Sequence, residues 1–391
     1  PIPPILYLLD GHGLAYRAYY ALTEGGTRAS TFQTSSGEPT AGVYGFTSIL
    51  LRIFEQEKPD YLAVVFDKGK TFRHEMYAEY KGTRAKMPDD LRTQVERMRE
   101  IVDAFNIPRL ERDNYEADDV IGSVARWASQ EKGLGVKIIT GDKDLLQLVT
   151  DQVVVNLAGS KLSDAKDYFP EDVKEKLGVM PAEVVDLKAL MGDTSDNIPG
   201  VRGSGPKTAV KLLDEFGTLD GIYAHIDEIS GKTKTALEEN KPDAFLSQTL
   251  ARIVTDLDVT LDLDQARIDR FNPAAVEDLF RILEFRTLTR QLNGLVNKMH
   301  PVMADGEQMD LFNKSEPTSL PSASENEESA DQIKATIINT PESLAEMVKT
   351  LNLAEMIAFD TETTDTDVMR AKLVGISLSV SPDEGYYIPV G

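Results

Sequence analysis

The 391-residue sequence predicts an α/β protein built on a mostly parallel sheet flanked by helices. Three observations carry that expectation. Over roughly the first 160 residues, short apolar runs alternate with stretches of helical spacing, as in successive βαβ units. The runs are apolar throughout rather than alternating, which suits strands buried on both faces. Three of them end on acids: residues 5–9 on Asp10, 61–66 on Asp67, and 136–140 on Gly141-Asp142-Lys143-Asp144. Open α/β sheets place their chemistry at the carboxyl ends of their strands, so three strands deliver carboxylates to one edge.

Between the first two strands, Val43, Phe46, Ile49, Leu50, Ile53 and Phe54 fall on one helical face and predict a core helix. From Lys68 to Arg99 basic residues recur among aromatics, namely Lys68, Lys70, Phe72, Arg73, Tyr77, Tyr80, Lys81, Arg84, Lys86 and Arg92. That mixture suits single-stranded nucleic acid; with Glu75, Glu79, Asp89 and Asp90 interspersed, it equally suits a solvated face. A helix is expected to begin near Tyr115. In it Glu116 and Asp119 share a face, with Asp118 turned about 100° away. Asp113 and Glu116 have capping-box spacing, and Asp118 and Asp119 complement the helix dipole. Asp142 and Asp144 suit the cap of a helix starting at Leu145, and Asp10 suits a turn.

Residues 171–300 lean helical, with Val173, Leu177, Val184, Leu187 and Leu190 at helical spacings. Residues 301–332 are rich in Ser, Glu, Pro and Asn and are expected to be a disordered acidic linker. Strand and helix patterning resumes over 333–391, where a fourth apolar run enters Asp360-Thr361-Glu362. Such a piece is small for a folded unit, and we expect an incomplete second domain. The opening Pro1, in place of Met, points to a trimmed or partial chain.

Composition narrows the chemistry. Without cysteine there are no disulfides, thiolate metal sites or cysteine nucleophile, and the four histidines are scattered. Any metal should be a hard ion bound by oxygen. No apolar stretch reaches the length of a membrane span and no secretory signal opens the chain, so a cytoplasmic location is expected. The formal charge of −23 argues against a nucleic-acid partner at first sight, but residues 301–334 alone hold eight acids and two bases. Bound cations would invert the local field at an acidic site.

Nine acids stand at strand ends, helix starts or turns: Asp10, Asp67, Glu116, Asp118, Asp119, Asp142, Asp144, Asp193 and Asp196. Each has an ordinary capping or turn reading; together they exceed what capping needs. They suffice for two divalent ions about 4 Å apart, one activating water and one stabilising a leaving oxygen. Just after the last pair runs Ile198-Pro199-Gly200-Val201-Arg202-Gly203-Ser204-Gly205-Pro206-Lys207-Thr208. Close glycines, a proline at a first helical position and a lysine suit a hairpin that grips a phosphate backbone without reading bases. They also suit a plain helix–helix turn.

In order along the chain, LLDGHGLAYRAYYAL, VVFDKGKTFRHEMYAEYKGTR, YEADDVI, TGDKDLLQLV and GDTSDNIPGVRGSGPKTA resemble the 5′ nuclease (flap endonuclease) domain of bacterial DNA polymerase I. The resemblance implies a PIN-like catalytic domain over 1–170 with a helical arch at about 68–105. It also implies a helical DNA-binding subdomain over 171–300 whose helix-three-turn-helix lies at about 196–217. By motif position it assigns two Mg2+ or Mn2+ to the nine carboxylates, a K+ to the hairpin, and the scissile phosphate and flap to Arg17, Arg73, Lys81 and Arg84. Gly200, Val201, Gly203, Ser204, Gly205, Lys207 and Thr208 are the implied DNA contacts, Ser204 standing where the family usually has an aliphatic residue. Implied partners are DNA with a 5′ flap or nick and RNA primer ends, in replication and repair. The chain is expected to act as a monomer.

AFDTET and LVGISLSV resemble the start of the same family's 3′ to 5′ exonuclease domain, of ribonuclease H-like fold, with Asp360 and Glu362 matching its first two ligands. With the other ligands missing, neither proofreading nor primer extension is expected of this chain. Gln308, Leu311 and Phe312 resemble the QxxLF peptide by which bacterial replication proteins dock on the sliding clamp. Two other readings compete: a non-catalytic junction binder, and a haloacid-dehalogenase-type phosphohydrolase, whose DxD motif Asp10-Gly11-His12 lacks.

Overall fold

A computed structural model describes residues 3–23, 32–157, 165–299, 334–338, 340–354, 357–363, 373–381 and 384–389. The chain divides into two compact units, Pro1–Asp305 and Gly306–Gly391. Gln308, Leu311, Phe312 and the expected linker lie outside the described residues.

In the first unit β1 (Ile5–Asp10) is followed by α1 (Gly11–Thr23) and α2 (Ala41–Arg52), then β2 (Tyr61–Val65), α3 (Phe72–Met76), α4 (Asp89–Ala104) and the short β3 (Arg109–Leu110). Next come α5 (Ala117–Arg126), β4 (Gly135–Thr140), β5 (Val153–Leu157) and β6 (Lys166–Tyr168). The rest is helical: α6 (Pro170–Leu177), α7 (Val184–Met191), α8 (Pro206–Phe216), α9 (Leu219–Ala224), α10 (Gly231–Glu239), α11 (Lys241–Ala251), α12 (Pro273–Ile282) and α13 (Arg286–Met299). The sheet order is β3-β2-β1-β4-β5-β6, parallel except for β6.

Strand alternation makes this a three-layer sandwich. Leu6, Leu8, Val136 and Ile138 point to the face covered by α5, α7 and α8. Tyr7, Leu9, Leu62 and Val64 point to the face covered by α1, α2, α4 and α12. The first of these cores runs without a break across residue 170, where sequence places a domain boundary: Val173, Leu187 and Leu212 pack in the same cluster as Leu6.

The expected helical arch is a compact feature: five-residue α3, a run of turns, and α4. Tyr80 anchors the turns against Ile198, Leu250 and Ala251. The capping box at 113–116 is not the one formed. Glu116 is itself the N-cap of α5, and its amide donates to Asp119 at 3.0 Å, one turn later than expected.

In the second unit β7 (Lys334–Ile337), α14 (Pro341–Leu353), β8 (Ala358–Thr363), β9 (Leu373–Ser381) and β10 (Glu384–Pro389) form a sheet of order β7-β10-β9-β8. Asp360 and Glu362 both lie in β8, opposite Ser377 and Gly375 of β9.

Candidate active site

Parallel pairing fixes where the acids meet. Asp10 closes β1 beside Val65, and Leu9 lies beside Ile139, so Asp67 and Asp142, each two residues past its strand, emerge at the same sheet edge. The start of α5 brings Glu116 and Asp118 to that edge. An open cleft of about 980 Å³ is lined by Asp10, Asp67, Glu116, Asp118 and Asp142, together with Arg17, Lys81 and Arg84.

Each side chain is held by its own local chemistry. Asp10 accepts from the Gly13 amide at 2.8 Å and the Thr140 hydroxyl at 2.8 Å. A side chain at position 13 would sit on that carboxylate, 2.1 Å from Oδ2. Asp67 accepts from the Ala117 amide at 2.8 Å, and its own amide donates to His12 Nδ1 at 3.1 Å. Burial pushes the His12 imidazole down, which favours the neutral ring that this acceptor role requires. Asp142 caps the short helical turn Lys143–Leu148 by accepting from the Asp144 amide, so its capping reading holds alongside the site reading.

Four of the remaining acids, Glu116, Asp144, Asp193 and Asp196, are gripped by protein cations. Lys188 is wedged between Asp144 and Asp193, reaching Asp193 at 2.6 Å. Glu116 takes Lys81 at 2.7 Å, and Asp196 takes Arg84. Asp193 and Ile198 exchange backbone hydrogen bonds at 2.9 and 2.8 Å, which closes the turn; Thr194 and Ser195 of that turn line the cleft, while Asp193 and Asp196 stand behind them on Lys188 and Arg84.

Two expectations are corrected. Arg73 is buried at 2% exposure and cannot reach a phosphate. Its guanidinium spans Asp119 with both ends, at 2.6 and 2.8 Å, and donates to the Leu250 and Arg252 carbonyls at 2.9 and 2.7 Å. Asp119 is correspondingly fully buried and saturated by Arg73 and the amides of Glu116 and Val254, so it supports the site rather than lining it. Sequence reasoning gave no site role to Lys188 or His12, and it placed Tyr80 among the aromatics suited to nucleic acid, whereas Tyr80 is buried with its hydroxyl on Glu116. Lys188 left one signal, a lone cation in the apolar segment of α7.

Among the described residues, no three His, Asp or Glu side chains stand as they are in an arrangement that would hold a metal ion. The donor set nonetheless fits a hard divalent ion. All its members are oxygens, and they carry more negative charge than their neighbours cancel. Burial, then repulsion by Asp67 and Asp142, raises Asp10 to about 6. Burial, then Asp142, raises Asp144 to about 7 despite Lys188. Asp118 is raised well above the carboxylate range by burial, Asp142 and Asp10. Burial would also raise Asp193, but Lys188 and Ser195 bring it down to about 2.

At the hairpin, residues 192–205 connect α7 to α8, Pro206 occupies the first turn of α8, and Gly203, Gly205 and Lys207 are exposed. The Ser204 hydroxyl is buried without a hydrogen-bond partner among the described residues.

Three family descriptions match consecutive stretches: "5′-3′ exonuclease, N-terminal resolvase-like domain" over residues 5–178, "5′-3′ exonuclease, C-terminal SAM fold" over 179–274, and "3′-5′ exonuclease" over 335–391. The sequence is 42% identical over 407 residues to DNA polymerase I of Chloroflexus aurantiacus, covering 99% of this chain and 42% of that protein. It is 45% identical over 289 residues to DNA polymerase I of Bacillus subtilis, covering 73% and 32%. The chain thus spans less than half the length of these curated relatives. Among solved structures, the fold resembles zinc-bound bacteriophage T5 5′-exonuclease, with TM-score 0.51 and 25% identity over 76% of this chain and all of that one. It also resembles a variant of the T5 flap endonuclease in a pseudo-enzyme-product complex with DNA and metal ions, with TM-score 0.52 and 25% identity over 72% and 99%.

Proposed function

The chain belongs to the 5′-3′ exonuclease family of bacterial DNA polymerase I, and we propose that it hydrolyses one phosphodiester near the junction of a 5′ flap with duplex DNA. The observation that carries this reading is the cleft itself, which carboxylates from three parallel strand ends and the start of α5 line together with Arg17, Lys81 and Arg84. Acids that suit cations and bases that suit phosphate in the same cleft are what phosphoryl chemistry needs. Two magnesium or manganese ions, held by Asp10, Asp67, Glu116, Asp118 and Asp142 with Asp144, Asp193 and Asp196 beside them, would supply the Lewis acidity that activates water.

The protein's own groups do the positioning. Lys81 and Arg84 stand over Glu116 and Asp196, so a phosphate entering the cleft meets cations already fixed by those acids. Gly203, Ser204, Gly205, Lys207 and Thr208 hold the duplex backbone, whereas Gly200 and Val201 are buried and shape the hairpin from inside, their amides donating to the Ser247 hydroxyl and the Leu190 carbonyl; the unpartnered Ser204 hydroxyl is a ready oxygen donor for a potassium ion there. In a whole polymerase this activity would remove RNA primers during replication and act in repair, at the nucleoid and as a monomer. Gln308, Leu311 and Phe312 would tether it to the sliding clamp. Unchanged clamp binding after Leu311→Ala with Phe312→Ala would remove that partner.

The deciding experiment is cleavage of a labelled 5′ flap by wild type and Asp67→Asn with magnesium. We expect cleavage by the wild type and its loss in the variant. Retained cleavage in the variant would refute the metal assignment, and no cleavage by the wild type under any divalent ion would leave a binding protein only.

A further inference from the structure

Beside the hairpin lies a separate groove of about 480 Å³, formed where the hairpin tip meets α10 and lined by Arg202, Gly231, Lys232, Thr235, Ala236 and Glu239 among others. Arg202 projects from a tip shaped by two left-handed glycines, Gly200 (φ 65°) and Gly203 (φ 88°). Lys232 reaches the same groove from the first turn of α10. Both are exposed, and neither makes an ion pair among the described residues. The contrast with the neighbouring Lys234 is informative, because Asp227 at 2.7 Å and Glu238 at 3.9 Å claim it. On α8, which follows the hairpin, Lys207 and Lys211 lie one turn apart, also exposed and without ion pairs among the described residues.

In a chain of net charge −23, cations left without acids on the hairpin, α8 and α10 mark a local positive surface. The groove presents no aromatic ring on which a base could stack, only charges, a hydroxyl, the Asn240 amide and small side chains. We propose that this groove is a second contact for the phosphate backbone of duplex DNA, beyond the stretch held by the hairpin, with Arg202 and Lys232 as its cations. The proposal rests on the duplex-binding reading above and lengthens its footprint. Glu239, the carboxylate facing the same groove, opposes the phosphate and limits affinity.

The test is fluorescence anisotropy of the full chain with labelled blunt duplexes of increasing length, divalent ions chelated, over a salt series. Each phosphate contact contributes about 0.9 to the slope of log affinity against log salt. Arg202→Ala with Lys232→Ala should therefore flatten the slope by about 1.8 and weaken binding on the order of tens of fold at 0.1 M salt, and only on the longer duplexes. Glu239→Gln should tighten binding, a gain that local unfolding does not produce. A double variant with wild-type slope and affinity, while Lys207→Ala weakens binding, overturns the groove and leaves the hairpin reading intact. Absence of duplex binding by the wild type overturns both.

Discussion

Arg73 and Arg84 belong to one short stretch of chain, yet they do opposite things. Arg73 has traded solvent for Asp119 and two carbonyls, tying α3 to α5 and to the end of α11. Removing one partner of a buried pair strands the other charge, so Arg73→Ala should lower stability by about 3–5 kcal/mol, read from the denaturant midpoint. Arg84 is 45% exposed, and although its partner Asp196 is buried, the Tyr80 hydroxyl at 3.3 Å and Lys81 at 3.9 Å still face that carboxylate when Arg84 is removed. Arg84→Ala should therefore cost about 1–3 kcal/mol, less than Arg73→Ala. It should nevertheless slow flap cleavage about a hundredfold, the effect of losing one preorganised donor. Lys188 is the third informative cation: it is the counter-charge for Asp144 and Asp193. With Lys188→Met those acids face each other uncompensated, and thermal stability should become far more dependent on added magnesium than in the wild type.

At the level of elements, the hairpin depends on backbone approach. Gly200 has φ 65°, and a Cβ there would lie 2.2 Å from the Gly192 amide nitrogen. No side-chain motion relieves a clash with backbone, so Gly200→Ala should abolish tight duplex binding in a salt titration. Gly203 has φ 88° and open space around it, so Gly203→Ala should cost only the left-handed penalty of about 1–2 kcal/mol. A second element-scale tie joins the turn after α2 to the sheet: Glu57 accepts from Tyr7 at 2.7 Å and Lys137 at 3.0 Å. Burial alone would raise Glu57, but these two donors bring it below its ordinary 4.5. A depressed carboxylate stabilises the fold above its unfolded value and loses that contribution as pH falls through the folded one. The stability gap between wild type and Glu57→Gln should therefore be full at neutral pH and shrink below about pH 4.5, as urea midpoints would record.

For the molecule as a whole, a cleft with surplus carboxylate charge links metal to folding. Magnesium at about a hundred times its dissociation constant should add about 2.7 kcal/mol to the first unit, and a chelator should remove it, as calorimetry would show. The sheet, its acid-ended strands and the hairpin were legible in the sequence, because these follow from local pattern: continuous apolar runs, glycine spacing and helix starts. The sequence also grouped nine acids, of which Asp10, Asp67, Glu116, Asp118 and Asp142 line one cleft, since parallel strands bring their ends together whatever the details of packing. It did not reveal that Arg73 and Asp119 are a buried strut, that Lys188 stands between two acids, or that α10 brings Lys232 beside Arg202. A basic residue next to an aromatic reads the same in sequence whether it faces solvent or carbonyl oxygens. Folding separates those fates, because burial and pairing depend on segments far apart in the chain, such as Leu250 over Arg73 and α10 over the hairpin tip.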